Sequence, residues 1–270
     1  MAHRIWRWFA DHWVLGLGLL VLVYLFLPIA VVVAMSFRDA GRNAPYTLQN
    51  YQFTLDHWLH PCGAAGICGT FATSIVIALL ATIGATILGT MMSFAMARNR
   101  FRGRGATNTL IFLPMATPEI VLGSSLLALF VGSGVPLGFW TIVIAHIMFC
   151  LSFVVVTVKA RLSGLDPRLE EAAMDLYANE TQTFLRVTLP LVAPGIVAAA
   201  LLSFSLSFDD FIVTNFNSGS TVTFPMYVWG ASQRGIPPQI NVIGTVMFLL
   251  AMMLVLSGEL NNRRRARARA

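Results

Sequence analysis

The sequence predicts an all-α, polytopic membrane protein with six transmembrane helices, and three observations predict it. Of its 270 residues 57% are hydrophobic and only 11% charged, about half the charge content of an ordinary soluble domain. Five stretches, 13–37, 71–97, 109–131, 139–158 and 191–211, reach the roughly 18 apolar residues that cross a bilayer as a helix, and a sixth, 242–257, reaches that length with its flanks. Fifteen of the 18 Lys and Arg residues fall in alternate connections, and the positive-inside rule then places both termini in the cytoplasm.

Span 1 is too long for a cleavable signal and no small-residue cleavage site follows it, so it is expected to be retained. The outer loop after it holds Tyr46, Tyr51 and Trp58 for the interface, and Cys62 and Cys68, which either form a disulfide or remain free thiols. Span 2 closes in ARNRFRGRG, four arginines that anchor it on the inner side. Span 3 carries Pro114 and Pro118, and a short uncharged Gly/Pro turn leads to span 4. The net charge of +6 is spread as topology signals without interleaved aromatics, so it is no nucleic-acid footprint. The basic tail RRRARARA suits anionic lipid headgroups.

The connection 159–190 is the polar exception in this apolar chain, and it contains EEAAMDLYANETQTFLRVTLP. Asp166 is a good N-cap, Pro167 suits the first helical position, and Glu170 and Glu171 favour the positive end of the helix dipole. Leu169, Ala172, Ala173 and Leu176 recur at helical spacing and give a short helix one apolar face. Asn179 with Gln182 reads as a capping box that starts a second helix, which Pro190 is expected to end, with a bend near Tyr177 and Ala178 between the two. Glu170, Glu171, Asp175 and Glu180 make the polar face acidic, which anionic lipid would repel, so the pair needs a protein surface to dock on.

At Glu171, Ala172, Ala173, Ala178, Phe184, Leu189 and Pro190 the sequence resembles the permease subunits of ABC importers, whose signature is EAA, a Gly four residues on and a later hydrophobic-Leu-Pro. The Gly of that pattern is Tyr177 here, and a left-handed turn that Gly adopts freely would cost a bulky residue about 1 kcal/mol or more. LPMATPEIVLGSSLL, SFSLSFDDFIVTNFNSG, FPMYVW and RGIPPQIN resemble the spermidine/putrescine branch of the family. The resemblance implies the type I ABC importer permease fold in a bacterial inner membrane. It implies an N-terminal helix and periplasmic loop over 1–66, a transmembrane core over 67–258 with its coupling loop at 159–190, and a basic tail over 259–270. It implies that Glu171, Ala172, Ala173, Asp175, Leu176, Tyr177, Ala178, Leu189 and Pro190 couple to cytoplasmic ABC ATPase subunits, with a second homologous permease and an extracytoplasmic solute-binding protein as further partners.

No catalytic residue, metal site or cofactor is expected in the chain itself. The only lysine, Lys159, sits in VVTVKARL without the Gly-rich turn of a P-loop, so ATP and Mg belong to the partner ATPase. Polyamine is the expected cargo; an opine, a phosphonate or a cationic vitamin is the alternative within the class, and an ion-driven secondary transporter or channel the alternative outside it.

Three acids fall inside spans: Glu119, Asp209 and Asp210. An Asp at a bilayer-centred position costs about 3 kcal/mol on insertion scales, so each is expected to face protein or water. Ser203, Ser207, Asp210, Thr214 and Asn217 form one helical stripe. It lines a path for a cation, with Asp210, Asp209, Glu119, Ser207 and Thr214 as the lining residues, or Asp209 or Asp210 pairs with Arg234 or caps a helix end. Glu119 lines the path or starts a half-helix. His146 has no acid at i±3 or i±4 and is expected to be a packed or pore-lining imidazole rather than a proton relay.

Overall fold

The computed structural model describes residues 2–39, 51–99 and 101–267. Arg42, Tyr46, Arg100 and Arg269 lie outside them, as do the side chains of Arg4, Arg7, Arg263, Arg264, Arg265 and Arg267. In chain order the helices are α1 (Ala2–Met35), α2 (Asp56–Leu59), α3 (Ile67–Arg98), α4 (Arg104–Ala116), α5 (Glu119–Gly132), α6 (Phe139–Ser163), α7 (Arg168–Asp175), α8 (Glu180–Thr183), a π-helical turn (Phe184–Thr188), α9 (Leu189–Asp209), α10 (Ile212–Asn217), α11 (Phe224–Arg234) and α12 (Pro238–Arg267). Among the described residues there is no strand, only an isolated bridge between Arg38 and Phe53. Five helices among the described residues are long and apolar enough to span a bilayer, six if α4 and α5 count as one broken span.

The chain divides into two compact units, Gly69–Tyr227 and a second made of Met1–Cys68 with Val228–Ala270. In the second unit α1 packs along α12, with Phe26 edge-on to Phe248 at 6.3 Å. Phe37 beyond α1 stacks on Phe53 and on Trp58 at 5.6 and 5.1 Å, so Trp58 packs on the chain itself. Cys62 and Cys68 are joined in a disulfide.

The 69–227 unit is built on α6, the most buried span, which packs on α9, α4 and α10. Phe149, Cys150, Val154 and Val158 of α6 meet Val192 and Ala199 of α9, while Ile142 and Val143 meet Ile77 of α3. Small residues let these helices approach. A Cβ on Gly89 would stand 2.6 Å from Val154 Cγ1, and nearby Ser93 Oγ donates to Val155 O at 3.1 Å, the small-residue packing expected where lipid offers no hydrophobic drive between helices.

Two expected helices are interrupted. Span 3 is a pair, α4 and α5, bent by 108°, because Pro118 has no N–H for Pro114 O and drives Thr117 into an extended conformation (φ −83°, ψ 132°). Span 5 begins earlier than expected, at Glu180, and stops at Asp209. Pro190 does not end the second loop helix as expected. Its ring cannot follow an ordinary α-turn over Arg186, and a π turn closed by Leu189 N–H to Phe184 O absorbs the misfit and lets the helix run on into α9.

The close approach of α3 to α6 is testable at two glycines. Gly89→Ala pushes a methyl into Val154 and is expected to destabilise by about 1–3 kcal/mol, whereas Gly105→Ala in α4, with nothing within 4 Å of its Cβ, is expected to be neutral or stabilising by up to about 1 kcal/mol. Thermal unfolding of the purified protein in detergent checks both.

Candidate functional site: the 166–190 loop and a buried polar cluster

The loop folds from its own local signals. Asp166 Oδ1 accepts the Arg168 N–H at 3.0 Å and starts α7. Asn179 Oδ1 accepts the Gln182 N–H at 2.8 Å while the Asn179 N–H donates back to Gln182 Oε1 at 3.1 Å, the reciprocal box expected of that pair. Between them α7 closes as a Schellman turn: the Tyr177 N–H donates to Met174 O at 2.9 Å and the Ala178 N–H to Ala173 O at 3.2 Å. That turn needs a left-handed residue at its bend, and Tyr177 supplies it at φ +63°, the one non-glycine with positive φ among the described residues. Tyr177 is 98% exposed and Leu176 81%, so neither ring nor isobutyl group is held by the chain.

The acidic face is less uniform than its spacing implies. Glu171, Asp175 and Glu180 are exposed, but Glu170 turns inward. Its Oε1 pairs with Arg98 Nη2 at the end of α3 and accepts the Thr188 hydroxyl at 2.6 Å. Ala172 and Pro190 are exposed, and Ala173, Ala178 and Leu189 are half-buried.

The predicted stripe on α9 is buried: Ser203 and Ser207 are at 0% and 4% exposure, Asp210 at 8%, and Thr214 and Asn217 at 0%. It does not lie on one helix, however. The backbone turns extended at Asp210 (ψ 127°), and the Asp210 carboxylate caps the restart, α10. Oδ2 accepts the Thr214 N–H at 2.7 Å and the Thr214 hydroxyl at 2.8 Å, and Oδ1 accepts the Val213 N–H at 3.4 Å. The helix-end alternative for this residue is thus the geometry it adopts. Asp209, one residue earlier, is exposed, and Glu119 is exposed in the first turn of α5 as the start of a half-helix.

His146 completes the cluster, and its place was not legible from spacing along its own helix. Nδ1 lies 2.7 Å from Ser207 Oγ, and Nε2 lies 2.9 Å from Thr214 Oγ1 and 3.3 Å from Asp210 Oδ2. With the Thr214 hydroxyl donating to the carboxylate, a proton on Nε2 serves Thr214 and Asp210 while Nδ1 accepts from Ser207, so one ring proton satisfies every contact. The acid that partners this histidine comes from across the helix interface. Further along, Asn217 Nδ2 donates to Gly123 O at 3.3 Å and Thr141 Oγ1 donates to Asn217 O at 2.7 Å. Gly123 permits that approach, since a Cβ there would fall 3.3 Å from Val213 Cα. Among the described residues no group of three His, Cys, Asp or Glu is placed to hold a metal.

Residues 85–260 match the family described as binding-protein-dependent transport system inner membrane component. The chain belongs to that family. The permease is 37% identical over 245 residues to the spermidine/putrescine transport system permease protein PotC of Haemophilus influenzae, covering 90% of this chain and 94% of that one. It is 39% identical over 182 residues to the putrescine transport system permease protein PotI of Escherichia coli K12, covering 64% and 65%. It also shares its fold with a chain of a bacterial ABC transporter involved in the import of alginate, at 15% identity, 97% and 99% coverage and a TM-score of 0.69. The all-α fold with five or six spans is therefore that of an ABC importer permease, a transport subunit whose kind works with a separate ATPase.

Because Tyr177 holds a left-handed conformation without packing on the permease, Tyr177→Gly is expected to unfold at an equal or higher temperature, a gain of up to about 1 kcal/mol. Tyr177→Val, branched at Cβ, is expected to unfold earlier. A clear loss of stability in the glycine variant would contradict the strain assignment.

Proposed function

We propose that this permease is the membrane subunit of a polyamine importer. The observation that supports the cargo is the likeness along nine-tenths of the chain to a spermidine/putrescine permease. A binding protein delivers the solute on the outer side, a second permease completes the path, and cytoplasmic ATPase subunits carrying ATP and Mg drive the cycle. In this reading both termini and the 166–190 loop face the cytoplasm. The loop is the dock: its half-buried Ala173 and Ala178, exposed Glu171 and Asp175, and projecting Leu176 and Tyr177 meet the ATPase, and its fusion to α9 through the π turn and Leu189-Pro190 carries the motion into the membrane.

The path takes shape around the break at Asp210. Asp209 and Glu119, both exposed, meet the polycation, while Ser207, Asp210 and Thr214 form the bonded wall behind them and fix where the chain turns. A flexible polyamine needs spaced carboxylates and aromatic faces. Phe204 and Phe208 stack at 6.0 Å, and Phe208 and Phe71 meet at 5.8 Å, beside Asp209 in sequence.

In proteoliposomes holding the complete importer, ATP-dependent uptake of labelled spermidine or putrescine is expected. Ala173→Asp, which places a charge in a partly desolvated contact, should abolish uptake and release the ATPase. Uptake of another solute with polyamines refused would overturn the cargo and leave the permease assignment standing.

The two neighbouring aspartates are expected to part company. Asp209→Asn should keep the protein abundant and lower uptake, whereas Asp210→Asn weakens a buried charge-assisted network and should lower abundance by about 2–3 kcal/mol of stability. Uptake per folded transporter, with membrane abundance measured beside it, checks both.

A further inference from the structure

We propose that Arg98, Glu170 and Thr188 form a strut through which the 166–190 loop moves α3. This rests on the reading of that loop as the ATPase dock and names the route its displacement takes.

Three elements meet at one guanidinium. Arg98 comes from the last residue of α3, Glu170 from the first turn of α7, and Thr188 from the end of the π turn. Arg98 Nη2 pairs with Glu170 Oε1 and lies 3.3 Å from Thr188 Oγ1, and the Thr188 hydroxyl donates to the same Oε1 at 2.6 Å. The guanidinium also stands over two rings, 5.9 Å from the centre of Phe94 and 5.8 Å from that of Phe184, which are themselves edge-on at 5.1 Å. Phe184 and Thr188 open and close the π turn, so that one wide turn presents a ring and a hydroxyl to the same cation.

Beyond the Phe94–Phe184 contact, apolar packing leaves a gap at this junction. A cavity of about 260 Å³ lies beside the strut, lined by Ala97, Leu165, Leu169, Val187 and Leu191 among others. Across that space the polar bridge ties loop to helix. The ion pair is 42% and 35% exposed on its two sides, and a pair so open to solvent adds little to folding stability. Its geometry is nevertheless fixed by a shared third partner and two rings, which is what a directional connection needs and a stabilising surface pair does not. Arg98 and Glu170 are positioning residues in this proposal, acting through the loop and α3.

The test is the number of solute molecules imported per ATP hydrolysed by the complete reconstituted importer. Glu170→Gln keeps an oxygen for the Thr188 hydroxyl but removes the charge, and should lower that ratio about tenfold, the order expected when one charged contact in a coupled network is lost. Arg98→Lys, which keeps charge but not the fork or the ring contact, should fall between. The double variant Arg98→Gln/Glu170→Gln should be no worse than Glu170→Gln alone, because the second change removes a partner of a connection that Glu170→Gln has already broken. An unchanged ratio in Glu170→Gln overturns the strut, and so does a parallel fall of uptake and hydrolysis or a loss of assembled complex in all three variants. Failure of the dock itself reads differently: the ATPase would then stay bound in Ala173→Asp whatever the strut variants do.

Discussion

A carboxylate at 8% exposure at the end of a spanning helix survives because donors close on it from several directions. Asp210 takes two backbone N–H groups, one hydroxyl and the approach of an imidazole. Without them the desolvation of a charge would cost several kcal/mol. Much of the 69–227 unit follows from that bonding. The cap allows the helix to stop at Asp209 and restart at Ile212, and the restart turns Thr214 and Asn217 toward α6 and α5. Gly123 then lets α5 pack against α10. Backbone groups freed by a break in a bilayer must find partners inside the protein, and here one carboxylate accepts two of the freed N–H groups.

The other interruptions are solved by other means. At 117–118 a proline forces the bend, and the Thr117 hydroxyl returns to Leu113 O at 2.7 Å. At 184–188 the turn widens to admit Pro190 without stopping the helix. The three devices differ in how firmly they are held. The Asp210 cap is buried and closed, whereas the loop is attached through half-exposed contacts beside a cavity. Segments with few buried apolar contacts and exposed hydrogen bonds open most readily. On the proposed reading, the closed cap belongs to the wall of the solute path and the half-exposed attachment to the docking loop.

On the proposed reading, the loop is also how a chain without a Gly-rich phosphate cradle serves an ATP-driven system. Work reaches it through contact, and what the loop offers for contact is distinctive: an exposed leucine and tyrosine at a strained turn, flanked by Glu171, Asp175 and Glu180. Strain kept at an exposed position without compensating contacts within the chain accords with the proposed docking role of the loop.

The sequence by itself determined the helical class, the number of apolar runs, the caps of the 166–190 loop and the polar positions of the stripe as far as Ser207. These follow from hydropathy and spacings of three and four residues, which are local properties of a helix. The tertiary structure decided the rest. The partner of His146 lies 64 positions away on another helix, at Asp210, and the anchor of Glu170 lies 72 positions away at Arg98, beyond any periodicity. The break at Asp210 and the passage of the helix through Pro190 were likewise hidden, because a proline or an aspartate reads the same in sequence whether a helix ends there or bends and continues. Which occurs depends on whether neighbouring helices supply partners for the freed backbone groups, and those neighbours exist only once the chain has folded.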